Sequence, residues 1–129
     1  MILDTSVLID ILRGEDLVTP WEEKLDETGA ASVTPITVME LWEGIHRVSA
    51  TRSERDDVET LLTEIDEVPF DTAAAVRAGE ISATLLDGGN RIDVEDIMIG
   101  AIAVERDETV LTGNPKHFDR IPDLAVESY

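Results

Sequence analysis

Three acids and one amide in this sequence stand where an α/β chain places its chemistry. Asp4 closes a short apolar run, Glu40 lies in the first turns of an apolar-faced helix, Asp96 opens another helix, and Asn114 follows a third apolar stretch. Each has a local alternative. Asp4 can cap the next helix, and Glu40 can close a Thr-x-x-Glu capping box with Thr37. Asp96 can complement a helix macrodipole, and Asn114 can be a turn residue before Pro115. Taken together, strand ends and helix starts converge on one end of a parallel α/β sheet. Carboxylates gathered there repel one another and resist desolvation unless cations join them. No basic residue adjoins any of the three acids in the sequence. A hard divalent ion such as Mg²⁺ or Mn²⁺ suits such oxygen donors. Carboxylates holding one or two such ions are a recurring means of hydrolysing phosphodiesters.

The elements that must position these residues follow from periodicity. Residues 1–4 read as a buried strand, and residues 5–12 are apolar at helical spacing up to Gly14. Thr19-Pro20 reads as a cap followed by Pro at the first helical position of a short helix over 21–27. A small-residue strand over 30–34 precedes a helix over 35–47, and Ser53 is expected to cap the next helix, packed on the last as a hairpin. A short strand is expected over 67–70, then a helix capped by Asp71 that runs to about Leu86 and ends at Gly88-Gly89. Asp93 caps a helix apolar on nearly every side, from Ile97 to Val104, which predicts burial on more than one face. Strands over 109–112 and, at an edge, 124–127 complete the pattern. Short apolar strands alternating with helices indicate an α/β fold with a mostly parallel sheet.

Composition bounds the remaining possibilities. The 129 residues contain no cysteine, which excludes disulfides and thiolate chemistry. One domain over residues 1–129 is expected. No apolar run approaches the roughly 18 residues of a membrane span, and no leader pattern opens the chain, so a cytoplasmic location is expected. The 29 acidic residues against 10 basic give a formal net charge of −19, yet 43% of residues are hydrophobic. This describes a folded domain with an acidic surface rather than a disordered acidic tail, and suggests a salt-loving source. It opposes the basic footprint usual for nucleic-acid binding.

Four segments carry a resemblance. Met1-Ile2-Leu3-Asp4-Thr5-Ser6 resembles the first motif of PIN domains, and Thr37-Val38-Met39-Glu40-Leu41 the second. The run from Ile92 to Ala101, around Asp96, resembles the third, and Val110-Leu111-Thr112-Gly113-Asn114-Pro115-Lys116-His117-Phe118 the fourth. The similarity runs in order along essentially the whole chain and is closest to PIN domains of the VapC toxin type. It implies a three-layer α/β/α fold and a metal-dependent endoribonuclease, usually a homodimer, acting on RNA and inhibited by a cognate VapB-type antitoxin. It further implies metal ligation by Asp4 and Asp96, with Glu40 ligating directly or through water, and a catalytic set of Asp4, Glu40, Asp96 and Asn114. Asn114 stands where many members carry a fourth acid, which weakens the case for a tight second metal.

Other residues have weaker claims. Asp93 reads as the helix cap and Glu95 as exposed. His46 and His117 have no Ser or Cys partner at triad spacing; His117, near the fourth motif, could touch substrate but reads first as a loop-surface residue. Ser6 and Thr112 can orient a ligand or cap local backbone. Trp42 reads as core, and Arg13, Arg47 and Arg91 as solvated cations that could meet phosphates. Two rival readings stay open: a catalytically silent PIN-like binding partner in a DNA-bound regulatory complex, and a small-molecule phosphohydrolase, which neither an Asp-x-Asp start nor a Gly-rich phosphate loop supports.

Overall fold

In the computed structural model, which describes residues 1–129, the chain builds one parallel sheet between two helical layers. The strands are β1 (Ile2–Leu3), β2 (Ser32–Val33), β3 (Asp66–Glu67), β4 (Val110–Thr112) and β5 (Val126–Ser128). Their order is β3-β2-β1-β4-β5, and every neighbouring pair is parallel. The helices are α1 (Thr5–Arg13), α2 (Thr19–Thr28), α3 (Pro35–Arg47), α4 (Arg52–Thr63), α5 (Thr72–Asp87), α6 (Val94–Arg106) and the single-turn α7 (Pro115–Phe118). A 3-10 turn, Asp16–Val18, precedes α2. No helix is long and apolar enough to cross a membrane.

Strand residues alternate between two cores, as a pleated backbone requires. Ile2 and Val110 enter one core with Ile81, Leu85, Ile99 and Phe118. Leu3 and Leu111 enter the other with Val7, Leu8, Leu25, Leu41 and Val58. The first core is covered by α5, α6 and α7, and the second by α1 to α4. Helix α6 is the most deeply set: Ile97, Ile99, Gly100, Ala101, Ile102 and Ala103 are all buried. Gly100 permits this seat, because a Cβ there would lie 2.6 Å from Ile121 Cδ1.

The chain leaves β1 towards β2 and β3, then returns to add β4 and β5 on the other side. The order therefore reverses between β1 and β4, and sites in such sheets form beyond the strand ends at that reversal. Leu3 pairs with Leu111 there, and Asp4 N donates to Leu111 O at 2.9 Å.

Several expected boundaries shift. Thr19 is already helical, with Val18 in the cap position and Pro20 one place further in. Thr51, not Ser53, caps α4: its Oγ1 accepts from Glu54 N at 3.1 Å. The third strand is Asp66–Glu67 rather than 67–70, and the last is Val126–Ser128 rather than 124–127. The sheet is parallel throughout, not merely mostly so. Asp71 caps α5 as expected, accepting from Ala74 N at 2.9 Å.

Candidate metal centre

Asp4 stands at the N-cap of α1 yet makes no side-chain cap bond. The residue is only 7% exposed, and its Oδ2 accepts from Ser6 Oγ at 2.9 Å and from Thr112 Oγ1 at 2.8 Å. Each hydroxyl also accepts from the backbone: Gly113 N donates to Ser6 Oγ at 3.0 Å, and Asn114 N to Thr112 Oγ1 at 2.9 Å. Ser6 and Thr112 thus orient the carboxylate and cap the β4–α7 turn at once. The turn passes close beneath Tyr129, whose hydroxyl donates to Asp10 Oδ2. A Cβ on Gly113 would lie 3.0 Å from that hydroxyl.

Glu40 is not part of a capping box. Helix α3 starts at Pro35 and is capped by Thr34, which accepts from Thr37 N at 3.4 Å. The Glu40 carboxylate instead accepts from Thr5 Oγ1 at 2.7 Å, and Thr5 Oγ1 lies 3.1 Å from the buried Thr37 Oγ1. Asp96, in the first turn of α6, lies with its Oδ2 2.7 Å from His117 Nδ1. Asp93 occupies the α6 N-cap without a side-chain cap bond, and its Oδ2 is 4.0 Å from the same imidazole nitrogen.

These residues meet. Asp4, Glu40, Asp93, Asp96, Asn114 and His117 all line one cavity of about 480 Å³, as does Lys116. All four residues of the expected catalytic set are therefore brought together. Three carboxylate oxygens in this set, Asp4 Oδ1, Glu40 Oε2 and Asp96 Oδ1, receive no hydrogen bond from the protein. None of the three carboxylates forms an ion pair with Lys or Arg. The electrostatic consequence is direct. Burial pushes the Glu40 carboxyl above the ordinary glutamate range, the Thr5 hydrogen bond opposes that, and Asp4, Asp96 and Glu95 add repulsion. Burial likewise pushes Asp96 up, opposed by the His117 hydrogen bond and reinforced by Asp4 and Asp93. Open carboxylate oxygens in a part-buried, uncompensated group are a donor set that fits a hard divalent cation. Ligand atoms of Asp93, Asp96 and His117 also lie within 4.8 Å of one another, so they too could hold an ion.

Two expectations change here. His117 is not a loop-surface residue: it sits on α7, held over Asp96 by the buried Phe118 beside it. Glu95 is half-buried rather than exposed, and it contributes to the field at Glu40. The sequence does not single out Thr5 and Thr37, although two buried threonines among apolar neighbours need partners. Of the arginines, Arg47 is occupied by Glu43 at 3.7 Å on an exposed face.

Comparison with known proteins agrees with this architecture. The PIN domain family model matches residues 1–124. The chain is 32% identical over 130 residues to the ribonuclease VapC of Rickettsia bellii, covering 98% of this chain and 93% of that protein. It is 31% identical over 102 residues to the tRNA(fMet)-specific endonuclease VapC of Salmonella typhimurium, covering 79% and 77% respectively. Among solved structures, DNA-bound VapBC from Salmonella typhimurium superposes with a TM-score of 0.90 at 29% identity, over 98% of this chain and 96% of that one. VapBC2 from Rickettsia felis, bound to a promoter DNA fragment, shares the fold with a TM-score of 0.91 at 22% identity, over 99% and 97%. The chain belongs to the PIN-domain family, among its VapC members.

Proposed function

We propose that this protein is a metal-dependent endoribonuclease, the toxin of a VapBC-type toxin–antitoxin pair, and that Asp4, Glu40 and Asp96 hold its metal. The observation that carries the metal assignment is the set of three carboxylates around one cavity, each keeping an oxygen free of protein donors. The activity follows from the VapC relatives, which are named as ribonucleases and endonucleases. Mg²⁺ or Mn²⁺ suits these oxygen donors. When bound, such an ion supplies Lewis acidity to a phosphodiester and acidifies a water.

The chain's own residues do the rest. Ser6 and Thr112 hold Asp4 Oδ2, which leaves Oδ1 turned away from those two donors. Thr5 holds Glu40 by Oε1 and leaves Oε2 to face the ion through the attacking water, which it would orient and whose proton it would accept. The raised Glu40 pKa brings that carboxylate nearer the range of an effective general base. His117 fixes Asp96 through one oxygen. Asn114, exposed on the cavity lining, would position water or phosphate through its amide. Attack would form a bond from the water oxygen to phosphorus and break the bond from phosphorus to O3′; Glu40 takes the water proton and bulk water protonates O3′, leaving a 5′-phosphate and a 3′-hydroxyl.

The remaining features of the proposal are a homodimer, which the family resemblance implies, and control by a VapB-type antitoxin, supported by the VapBC complex that shares the fold at 29% identity. Expression alone should arrest growth of a bacterial host. Co-expression of the cognate antitoxin should restore it, and so should Asp4→Asn in the toxin. Growth unaffected by the wild-type protein, with soluble protein present, would contradict the toxin reading.

A further inference from the structure

Strands β4 and β5 run parallel, with Thr112 in register with Ser128. The residues that follow them, Gly113 and Tyr129, therefore stand side by side at the end of the sheet. Tyr129 is half-buried and packs on the second core, and its hydroxyl donates to Asp10 Oδ2 on α1. That is the only side-chain hydrogen bond Asp10 makes, and no Lys or Arg pairs with it. Burial pushes the phenol above the ordinary tyrosine range and the bond to Asp10 pushes it further, so the hydroxyl stays a donor. Gly113 lies beneath this bond: a Cβ there would stand 3.0 Å from Tyr129 Oη, 3.3 Å from its Cζ and 3.4 Å from Asp10 Oδ2. The bond thus closes over the β4–α7 turn, and that turn serves both sides of the acid centre. Gly113 N donates to Ser6 Oγ and Asn114 N to Thr112 Oγ1, the two hydroxyls that hold Asp4 Oδ2. The same turn starts α7, which carries His117 to Asp96. Ser6 and Asp10 lie four residues apart on α1, so one face of that helix grips the turn twice.

We infer that Tyr129 and Asp10 form a brace over Gly113 that fixes the β4–α7 turn against α1, and so sets the placement of Asp4 relative to Asp96. Both are positioning residues: neither lines the acid cavity, and both act through the turn. The inference rests on the metal reading above and adds what holds the ligands of that metal in place. The turn needs an outside hold. Helix α7 is a single turn whose cap residue, Asn114, makes no side-chain cap bond, and so short a helix has little stability of its own. Asp4 and Asp96 repel one another, which pushes the two sides of the centre apart. A hydrogen bond to an ionised acceptor is of the stronger kind, and this one ties the end of β5 to α1 across the turn, against that separation. Glycine at 113 lets the brace lie this low, because a side chain there would meet both of its members.

The test is a Mn²⁺ titration of the metal-free protein followed by electron paramagnetic resonance, with the melting temperature in chelator measured alongside. Tyr129→Phe keeps the ring and removes the donor. It should weaken Mn²⁺ binding about tenfold, the low end for an outer partner of a metal ligand, with the fold retained by circular dichroism. Asp10→Ala should do the same, whereas Asp10→Asn keeps an oxygen acceptor for the phenol and should retain affinity. Tyr129→Phe combined with Asp10→Ala should lose no more than either alone, because the two residues act as one unit. Val126→Ala trims a side chain of β5 that packs on the first core, away from the brace. It should lower the melting temperature and leave Mn²⁺ affinity unchanged. Wild-type affinity in Tyr129→Phe, or an equal loss in Val126→Ala, would overturn the brace. So would equal losses in Asp10→Asn and Asp10→Ala, since the charge of Asp10 and not its bond would then be at work. Wild-type protein that binds no Mn²⁺ would overturn the metal reading itself and the brace with it, whereas wild type that binds Mn²⁺ beside an unaffected Tyr129→Phe removes the brace alone.

Discussion

His117 Nδ1 lies 2.7 Å from Asp96 Oδ2, joining the single-turn α7 to the first turn of the buried α6. The imidazole reaches Asp96 because Phe118, only 1% exposed, pins α7 into the first core. An imidazole bonded to one oxygen of a carboxylate fixes how the other oxygen is presented. Partners of this kind are worth about 10- to 100-fold in metal affinity. His117→Ala is therefore expected to weaken Mn²⁺ binding about tenfold by electron paramagnetic resonance titration, with the fold retained by circular dichroism. Unchanged affinity would show that Asp96 needs no such support.

Asp96 and Glu40 carry pKa values raised above their ordinary 3.8 and 4.5. A carboxyl raised in the folded state contributes stability that is full below its ordinary pKa and is lost as pH rises through the raised value. Metal-free wild-type protein should therefore lose stability from these groups as pH climbs from the ordinary carboxyl range towards neutrality. Asp96→Asn has no such carboxyl to ionise. In chelator its melting temperature should exceed that of wild type at neutral pH, and the gap should close at acid pH. With divalent metal the order should reverse, because only wild type gains stability by binding. A variant less stable than wild type in chelator at neutral pH would contradict the repulsion.

Glu40 and Glu43 share α3 but not an environment. Glu40 is held by Thr5 on the lining of the acid cavity, whereas Glu43 pairs at 3.7 Å with Arg47 on an open face. Glu40→Gln removes the base and should lower the cleavage rate by about 100-fold or more. Glu43→Gln should leave the rate within experimental scatter, since exposed ion pairs contribute little. The opposite ranking in a side-by-side assay would mean that a different face of α3 serves the reaction.

The net charge of −19 has its own consequence. Self-repulsion of that size destabilises a compact state, and it is screened as the Debye length falls from about 10 Å at 0.1 M salt to about 3 Å at 1 M. Melting temperature should rise along a KCl series. A maximum in dilute buffer would leave repulsion without a measurable role.

The acids were legible because their placement follows from local rules. Asp4 ends an apolar run, and Asp96 opens a helix whose apolar residues surround it, so the order of elements alone brings them to one sheet end. Caps were harder to read where hydroxyls compete. Thr51 and Ser53, or Thr34 and Thr37, offer the same chemistry a few residues apart, and the backbone path decides between them. His117 lay beyond sequence reading for a different reason. Its contact with Asp96 spans 21 residues of chain and depends on where Phe118 seats α7. Thr5 and Thr37 are similar: their hydroxyls meet across 32 residues, only once α1 and α3 are packed together. Arg120 is of the same kind, since it approaches Arg91 only through the tertiary fold.

The central claim is that Asp4, Glu40 and Asp96 hold a divalent ion that supports hydrolysis of RNA. The most direct measurement is end mapping of cellular RNA incubated with purified protein, run in Mg²⁺, in Mn²⁺ and in chelator, beside Asp4→Asn under the same conditions. Wild type should generate discrete new 5′-phosphate ends in the presence of metal, and neither chelated wild type nor Asp4→Asn should do so. Equal cleavage in chelator, or by Asp4→Asn, would contradict the metal centre.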